Sequence, residues 1–141
     1  MNIDNLPTPL YIAHRGLSAR FPENTLAAFN AAVDAGARMI ELDVCLSSDR
    51  QLIVIHDDTV DRTTDGSGAV KTLTLEQLCR LDAGGWFDPR FEGERLPTLE
   101  QALDAVKGRV SVNIEIKPEA FDPGTVDDAV ERQVLTLVHD K

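Results

Sequence analysis

A chain of 141 residues is long enough for one ordinary domain with a hydrophobic core. With 43% apolar and 27% charged residues, its composition is that of a soluble folded protein and excludes a disordered one. The net charge of −10 argues against a general electrostatic hold on nucleic acid or anionic membranes.

Met1 to Pro9 carries Asp4 and no Lys or Arg, so it lacks the basic and apolar segments of a signal peptide; a cytoplasmic protein without a membrane anchor is expected. No apolar run approaches the roughly 18 residues of a transmembrane helix. Pro9 to His14 reads as a short strand opening into a loop at Gly16. Glu23-Asn24-Thr25 starts a helix, Leu26, Phe29, Ala32 and Val33 follow at helical spacing, and Gly36 stops it. Arg38 to Leu46 alternates strictly: Ile40, Leu42, Val44 and Leu46 share one face, Met39, Glu41, Asp43 and Cys45 the other. A turn at Ser47-Ser48-Asp49-Arg50 and a second strand over Leu52–His56 predict a hairpin.

Asp57 to Gly68 is polar and reads as loop. Thr74-Leu75-Glu76-Gln77 fits a capping box that opens a short helix to about Leu81. Gly84 to Pro97 is irregular, and Trp86 and Phe87 are expected to pack the core of this excursion. Thr98-Leu99-Glu100-Gln101 repeats the capping box, with Leu99, Ala102, Leu103 and Val106 as the apolar face and Gly108 as the stop. Val110 to Lys117 alternates again, setting Val112, Ile114 and Ile116 against Asn113, Glu115 and Lys117. Val126, Ala129, Val130, Val134, Leu137 and Val138 predict an amphipathic helix to the C-terminus, with His139 as helix-end decoration. Cys45 and Cys79 lack metal-type spacing, and two reduced thiols are expected. The β-α-β rhythm, an excursion, then α-β-α is that of a parallel α/β fold.

The polar strand faces carry the functional information. Buried carboxylates are costly unless they are paired or bind a cation. Glu41 and Asp43 on one strand and Glu115 on another, with Lys117 beside them, fit a hard-cation site with oxygen ligands. An acidic protein that handles a phosphate ester also needs a local cation. Charge alternation arises equally on a solvent-facing antiparallel strand, so the pattern alone leaves both readings open. His14 and His56 each close a strand near these faces, as a general acid and base would. Arg15 and Lys117 are candidate phosphate contacts, or simple ion-pair partners of the acids. There is neither a glycine-rich phosphate loop nor a Ser/His/Asp arrangement.

Taken together, Ala13-His14-Arg15-Gly16, Pro22-Glu23-Asn24-Thr25, Glu41-Leu42-Asp43-Val44, His56-Asp57-Asp58, Arg62-Thr63-Thr64 and Asn113-Ile114-Glu115-Ile116-Lys117 make the chain resemble the glycerophosphodiester phosphodiesterases. Asp82-Ala83-Gly84-Gly85-Trp86-Phe87 and Leu96-Pro97-Thr98-Leu99 are similar to the bacterial cytoplasmic branch. The resemblance implies a TIM-type (β/α)8 barrel. It implies a divalent cation, Mg2+ or Ca2+, on Glu41, Asp43 and Glu115, His14 and His56 as the acid-base pair, and Arg15 and Lys117 near the phosphate. The implied reaction is hydrolysis of a small glycerophosphodiester to glycerol 3-phosphate and an alcohol. Alternatives are a related lysophospholipase D-like reaction, or an inactive half-barrel that only binds. Such a barrel needs roughly 250 residues. The 141-residue chain is therefore expected to hold the N-terminal portion of one barrel domain: strands at 10–14, 38–44 and 110–116, and an insertion over about 45–97 carrying the hairpin strand and a short helix. The open edges predict self-association or pairing with the missing half.

Overall fold

The structure, a computed structural model, describes residues 8–118 and 129–141. In chain order the elements are β1 (Ile12–His14), α1 (Leu26–Asp34), β2 (Met39–Leu46), β3 (Leu52–Val54), α2 (Leu75–Leu78), α3 (Leu99–Val106), β4 (Ser111–Ile116) and α4 (Val130–His139), with 3-10 turns at Val70–Thr72 and Pro89–Phe91.

Strand β2 organises the sheet. It pairs in parallel with β1 through Ile12↔Met39 to His14↔Glu41, and in parallel with β4 through Met39↔Ser111 to Val44↔Ile116. Parallel neighbours need crossover connections, and α1 and α3 each lead into the next parallel strand. Strand β3 folds back antiparallel, with Val44↔Val54 to Leu46↔Leu52 in register. Val44 pairs with both β3 and β4, so β3 prolongs the β2 edge that β1 occupies lower down.

The alternation of β2 sorts its side chains into separate environments, although all eight residues are buried. Ile40, Leu42, Val44 and Leu46 pack with Phe29 and Ala32 of α1, Leu99, Leu103 and Val106 of α3, and Val130 and Val134 of α4. Val112, Ile114 and Ile116 of β4 lean on the same core. On the other face, Cys45 joins Ile53, Ile55, Val60, Val70, Leu78 and Leu96 in a second core that belongs to the excursion between β2 and α3. Glu41 and Asp43 point to this second side, away from the helices.

Helix starts follow the sequence closely. Thr25 caps α1 by accepting from the Ala28 N–H, and Thr74 with Gln77 and Thr98 with Gln101 form complete capping boxes. Three expectations need correction. Strand β3 ends at Val54 rather than at His56: Ile55 still donates to the Asp43 carbonyl, but the Asp43 N–H faces Asn24 Oδ1 at 3.5 Å and returns no bond to Ile55. Helix α2 ends at Leu78, and the chain continues to Leu81 in tighter turns. Trp86 is 40% exposed rather than core; its indole N–H donates to the Ala83 carbonyl, and it borders an open groove with Arg80, Asp82 and Arg95. Val126, expected in the last helix, lies outside the described residues; from Val130 onward the helix stands as read. Among the described residues no helix is long and apolar enough to cross a membrane.

Candidate functional site

Strand register brings the candidate residues together. In a parallel sheet, residues in register share a face and form rows across the strands. His14, Glu41 and Asn113 make one such row, and Asp43 with Glu115 makes the next toward the C-terminal ends. Carboxylate oxygens of Glu41, Asp43 and Glu115 therefore lie within 4.8 Å of one another. Glu41 is 5% exposed and Asp43 is fully buried, whereas the Glu115 side chain is 53% exposed at the open side of the sheet.

The loop after β1 wraps this cluster, and it needs unusual backbone to do so. Arg15, Gly16 and Asn24 all have left-handed φ values of 56°, 81° and 57°. This conformation lets the Arg15 N–H donate to Glu41 Oε2 at 3.0 Å. It also turns the Asn24 side chain inward, where Nδ2 donates to Asp43 Oδ2 at 2.9 Å. Asparagine is one of the few non-glycine types that tolerates this region. The Arg15 guanidinium reaches Glu23 at 3.0 Å and Asp43 at 3.4 Å, and Lys117 Nζ sits 2.8 Å from Glu115 and 3.6 Å from Asp43. Both predicted phosphate contacts thus lie among the predicted metal ligands and pair with them.

The two histidines differ in setting. His14 is largely exposed, with Nε2 3.8 Å from Glu41 Oε2. His56 lies in the loop beyond β3, two residues past the strand's last residue. Its Nδ1 is held by Asp57 Oδ1 at 2.7 Å. His139 is exposed in the last turn of α4.

Electrostatic consequences follow from these contacts. Burial pushes the Glu41 carboxyl up; the Arg15 amide opposes the shift, and the neighbouring Asp43 charge adds to it. Hydrogen bonds from Arg62 hold Asp57 far below the ordinary carboxylate range, with His56 adding to the effect. Lys117 lowers Glu115. Burial alone would raise Glu23, but Arg62 and Arg15 together bring it below its usual value.

The network includes four residues that the motifs contained without a role being assigned: Glu23, Asn24, Asp57 and Arg62. Arg62 donates to both Glu23 and Asp57. The network sums to Glu23, Glu41, Asp43, Asp57 and Glu115 against Arg15, Arg62 and Lys117, five negative charges against three positive, or −2 with neutral histidines.

Comparison with known proteins gives a consistent picture. The sequence profile of the glycerophosphoryl diester phosphodiesterase family matches residues 14–140. The chain is 59% identical over 117 residues to YhdW of Bacillus subtilis, a glycerophosphodiester phosphodiesterase by name, covering 83% of this chain and 48% of that protein. A glycerophosphodiester phosphodiesterase from Agrobacterium tumefaciens superposes with a TM-score of 0.82 at 43% identity, over 92% of this chain and 52% of that one. An Oleispira antarctica phosphodiesterase, solved with the product sn-glycerol-3-phosphate, superposes with a TM-score of 0.82 at 37% identity, over 92% of this chain and 52% of that one. The chain spans about half the length of the relatives it matches. The solved relatives are TIM barrels, and β1, β2 and β4 with their helices are part of that architecture.

Proposed function

The chain belongs to the glycerophosphoryl diester phosphodiesterase family, and from that premise we propose that the protein hydrolyses glycerophosphodiesters to glycerol 3-phosphate and an alcohol with the aid of Mg2+ or Ca2+. Glu41, Asp43 and Glu115 are the residues that would hold the cation. The observation that carries this reading is Glu41 Oε1, buried with no hydrogen-bond partner; Asp43 Oδ1 is likewise buried without a hydrogen bond, with the Lys117 ammonium 3.6 Å away, and Arg15 Nε beside them is also buried without one. Buried carboxylate oxygens are rarely left this way unless a positive ligand satisfies them. The network's residual charge of −2 fits a divalent ion, and carboxylate oxygens are the donors that hard cations select.

When bound, the ion supplies positive charge against the phosphodiester oxygens. The chain's own residues supply the rest. Arg15 and Lys117 stand at the same rim and add charge on the phosphate side. Asp57, held ionised, can only accept, so it keeps a proton on His56 Nδ1 and leaves Nε2 to exchange one. His14, open to solvent beside Glu41, is the second proton carrier. One histidine takes a proton from the nucleophile, either the neighbouring glycerol hydroxyl or a water, and the other protonates the departing alkoxide. Residues 45–97 are read as an insertion into the barrel between its second strand and the helix that follows.

The test is thermal unfolding of the full-length protein with and without Mg2+ or Ca2+, beside choline release from glycerophosphocholine, with glycerol 3-phosphate as co-product, and from lysophosphatidylcholine, with lysophosphatidate as co-product. Cation at about 100 times its Kd stabilises by roughly 2.7 kcal/mol, and Asp43→Asn should abolish most of that rise together with turnover. A wild-type protein that neither melts higher with cation nor releases product would overturn the proposal. Preference for the lysophospholipid would move the substrate class.

A further inference from the structure

Arg62 lies outside the strands and touches none of the three acids assigned to the cation, yet it is the most heavily engaged side chain near the site. Its Nε and Nη2 donate to Asp57 Oδ2 and Oδ1 at 2.7 and 3.0 Å. Its Nη1 and Nη2 donate to Glu23 Oε2 and Oε1 at 3.0 and 2.8 Å. All three guanidinium nitrogens are thereby used in two bidentate grips, a geometry that lysine cannot reproduce. Each carboxylate leads on to a residue of the site. Asp57 holds His56 Nδ1 at 2.7 Å, and Glu23 accepts from Arg15 Nη1 at 3.0 Å. The Arg62 side chain is itself 44% exposed, a degree of exposure at which a single ion pair contributes little to stability. So much hydrogen bonding on so exposed a side chain serves position more than stability.

Resting on the catalytic reading above, we propose that Arg62 is a positioning residue. It clamps Asp57 against His56 Nδ1, and through Glu23 it locks the loop that follows β1 and carries Arg15 to the loop that carries His56. Asp57 follows His56 directly in the chain; the backbone just beyond is tied by the Val70 N–H donating to the Asp58 carbonyl at 2.9 Å, whereas the Asp57 carboxylate itself is held by Arg62. Without the guanidinium, the Asp57 carboxylate gains a solvent-facing rotamer at little cost. The imidazole then loses the acceptor that sets its tautomer and ring orientation.

The experiment uses the full-length protein, glycerophosphocholine and saturating Mg2+. Arg62→Met should lower kcat by about 10- to 100-fold with KM within about threefold. Arg62→Lys should not restore kcat, whereas added guanidinium should recover part of it in Arg62→Met. Asp57→Asn should show a similar loss, and the double variant should fall well short of the product of the two single losses, because the arm through Asp57 is shared and only the Glu23 arm is additional. A kcat for Arg62→Met within threefold of wild type, or losses that multiply in the double variant, would overturn the assignment. If Arg62→Met fails to fold, Asp57→Asn decides, and an undiminished kcat sinks the idea. The 15N pattern of the His56 ring reads the coupling without turnover: a single Nδ1–H tautomer in wild type, mixed in Arg62→Met. An unchanged pattern refutes the clamp even where the wild-type protein releases no product, so the positioning role and the phosphodiesterase reading fail separately.

Discussion

Replacing Gly16 by alanine probes the loop that builds the site. Gly16 has φ of +81°, and a Cβ placed there would meet Ala28 C at 2.7 Å and Ala28 Cβ and O at 2.8 Å. Two costs add. The left-handed backbone penalises an L side chain by about 1 kcal/mol. The overlap is with main-chain atoms of α1 and with the Ala28 Cβ fixed to them, none of which can swing aside as a longer side chain would, and overpacking of this kind costs roughly 2 kcal/mol. At about 2.1 cal/mol/K per residue, 141 residues carry an unfolding entropy near 300 cal/mol/K, so roughly 3 kcal/mol lowers Tm by about 10 °C. Gly36 supplies the control. Its φ is +88° and nothing lies within 4 Å of the would-be Cβ, so Gly36→Ala bears the backbone cost alone. That cost is about 1 kcal/mol, or about 3 °C. The assay is calorimetry of wild type and both variants under one buffer condition. A longer unfolding unit would shrink both shifts but keep the ratio near three to one. Equal shifts for the two variants would refute the packing argument. Because Gly16 follows the amide that holds Glu41, Gly16→Ala should also weaken the cation-induced rise in Tm, while Gly36→Ala leaves it intact.

Two further perturbations test the surroundings. Asp82 accepts from the backbone N–H groups of Gly84 and Gly85 at 3.0 and 2.7 Å and from that of Gly93, so Asp82→Ala should cost roughly 2–4 kcal/mol. The Gly85 and Gly93 amides hold this carboxyl below its unfolded value of 3.8. Its contribution is therefore complete above pH 3.8 and lost as pH falls through the lower folded value. The Tm gap between wild type and Asp82→Ala should stay constant from neutral pH to about 5 and then close on further acidification; a gap that stays constant to pH 2 would contradict the assignment. Asn24→Asp is nearly isosteric but turns a donor 2.9 Å from Asp43 Oδ2 into a second carboxylate oxygen. It should destabilise by roughly 3 kcal/mol at neutral pH and less in acid, where protonation restores a donor. Denaturant midpoints at two pH values decide this.

How much the sequence disclosed depended on whether periodicity was at work. Ile40, Leu42, Val44 and Leu46 could be assigned to one face because a strand has period two, and that face packs against three helices. Thr74 with Gln77 and Thr98 with Gln101 were readable because a capping box has fixed spacing. Even the meeting of Glu41, Asp43 and Glu115 needed only alternation and parallel register. Loops offer no such period. The left-handed turns at Arg15 and Asn24, the turn of the Asp43 N–H toward Asn24 where β3 ends, and the reach of Arg62 across 39 positions to Glu23 all depend on tertiary contacts. Asn24 offered one local signal: an asparagine between Glu23 and a helix cap is a natural candidate for φ above zero.

This division has a physical consequence for the site. The strands bring the acids together but cannot stabilise them, since Glu41 and Asp43 share one face and repel each other. Compensation comes from the loops. The Arg15 amide satisfies Glu41 Oε2, the Asn24 amide satisfies Asp43 Oδ2, and Arg62 secures Glu23 and Asp57 around them. One oxygen on each buried acid is thereby fixed; of the others, Glu41 Oε1 is left without a hydrogen bond, and Asp43 Oδ1 has the Lys117 ammonium 3.6 Å away. A loop that only neutralised the acids would have covered both oxygens. Covering one of each orients the carboxylates while keeping an acceptor open, as the proposed cation site would require.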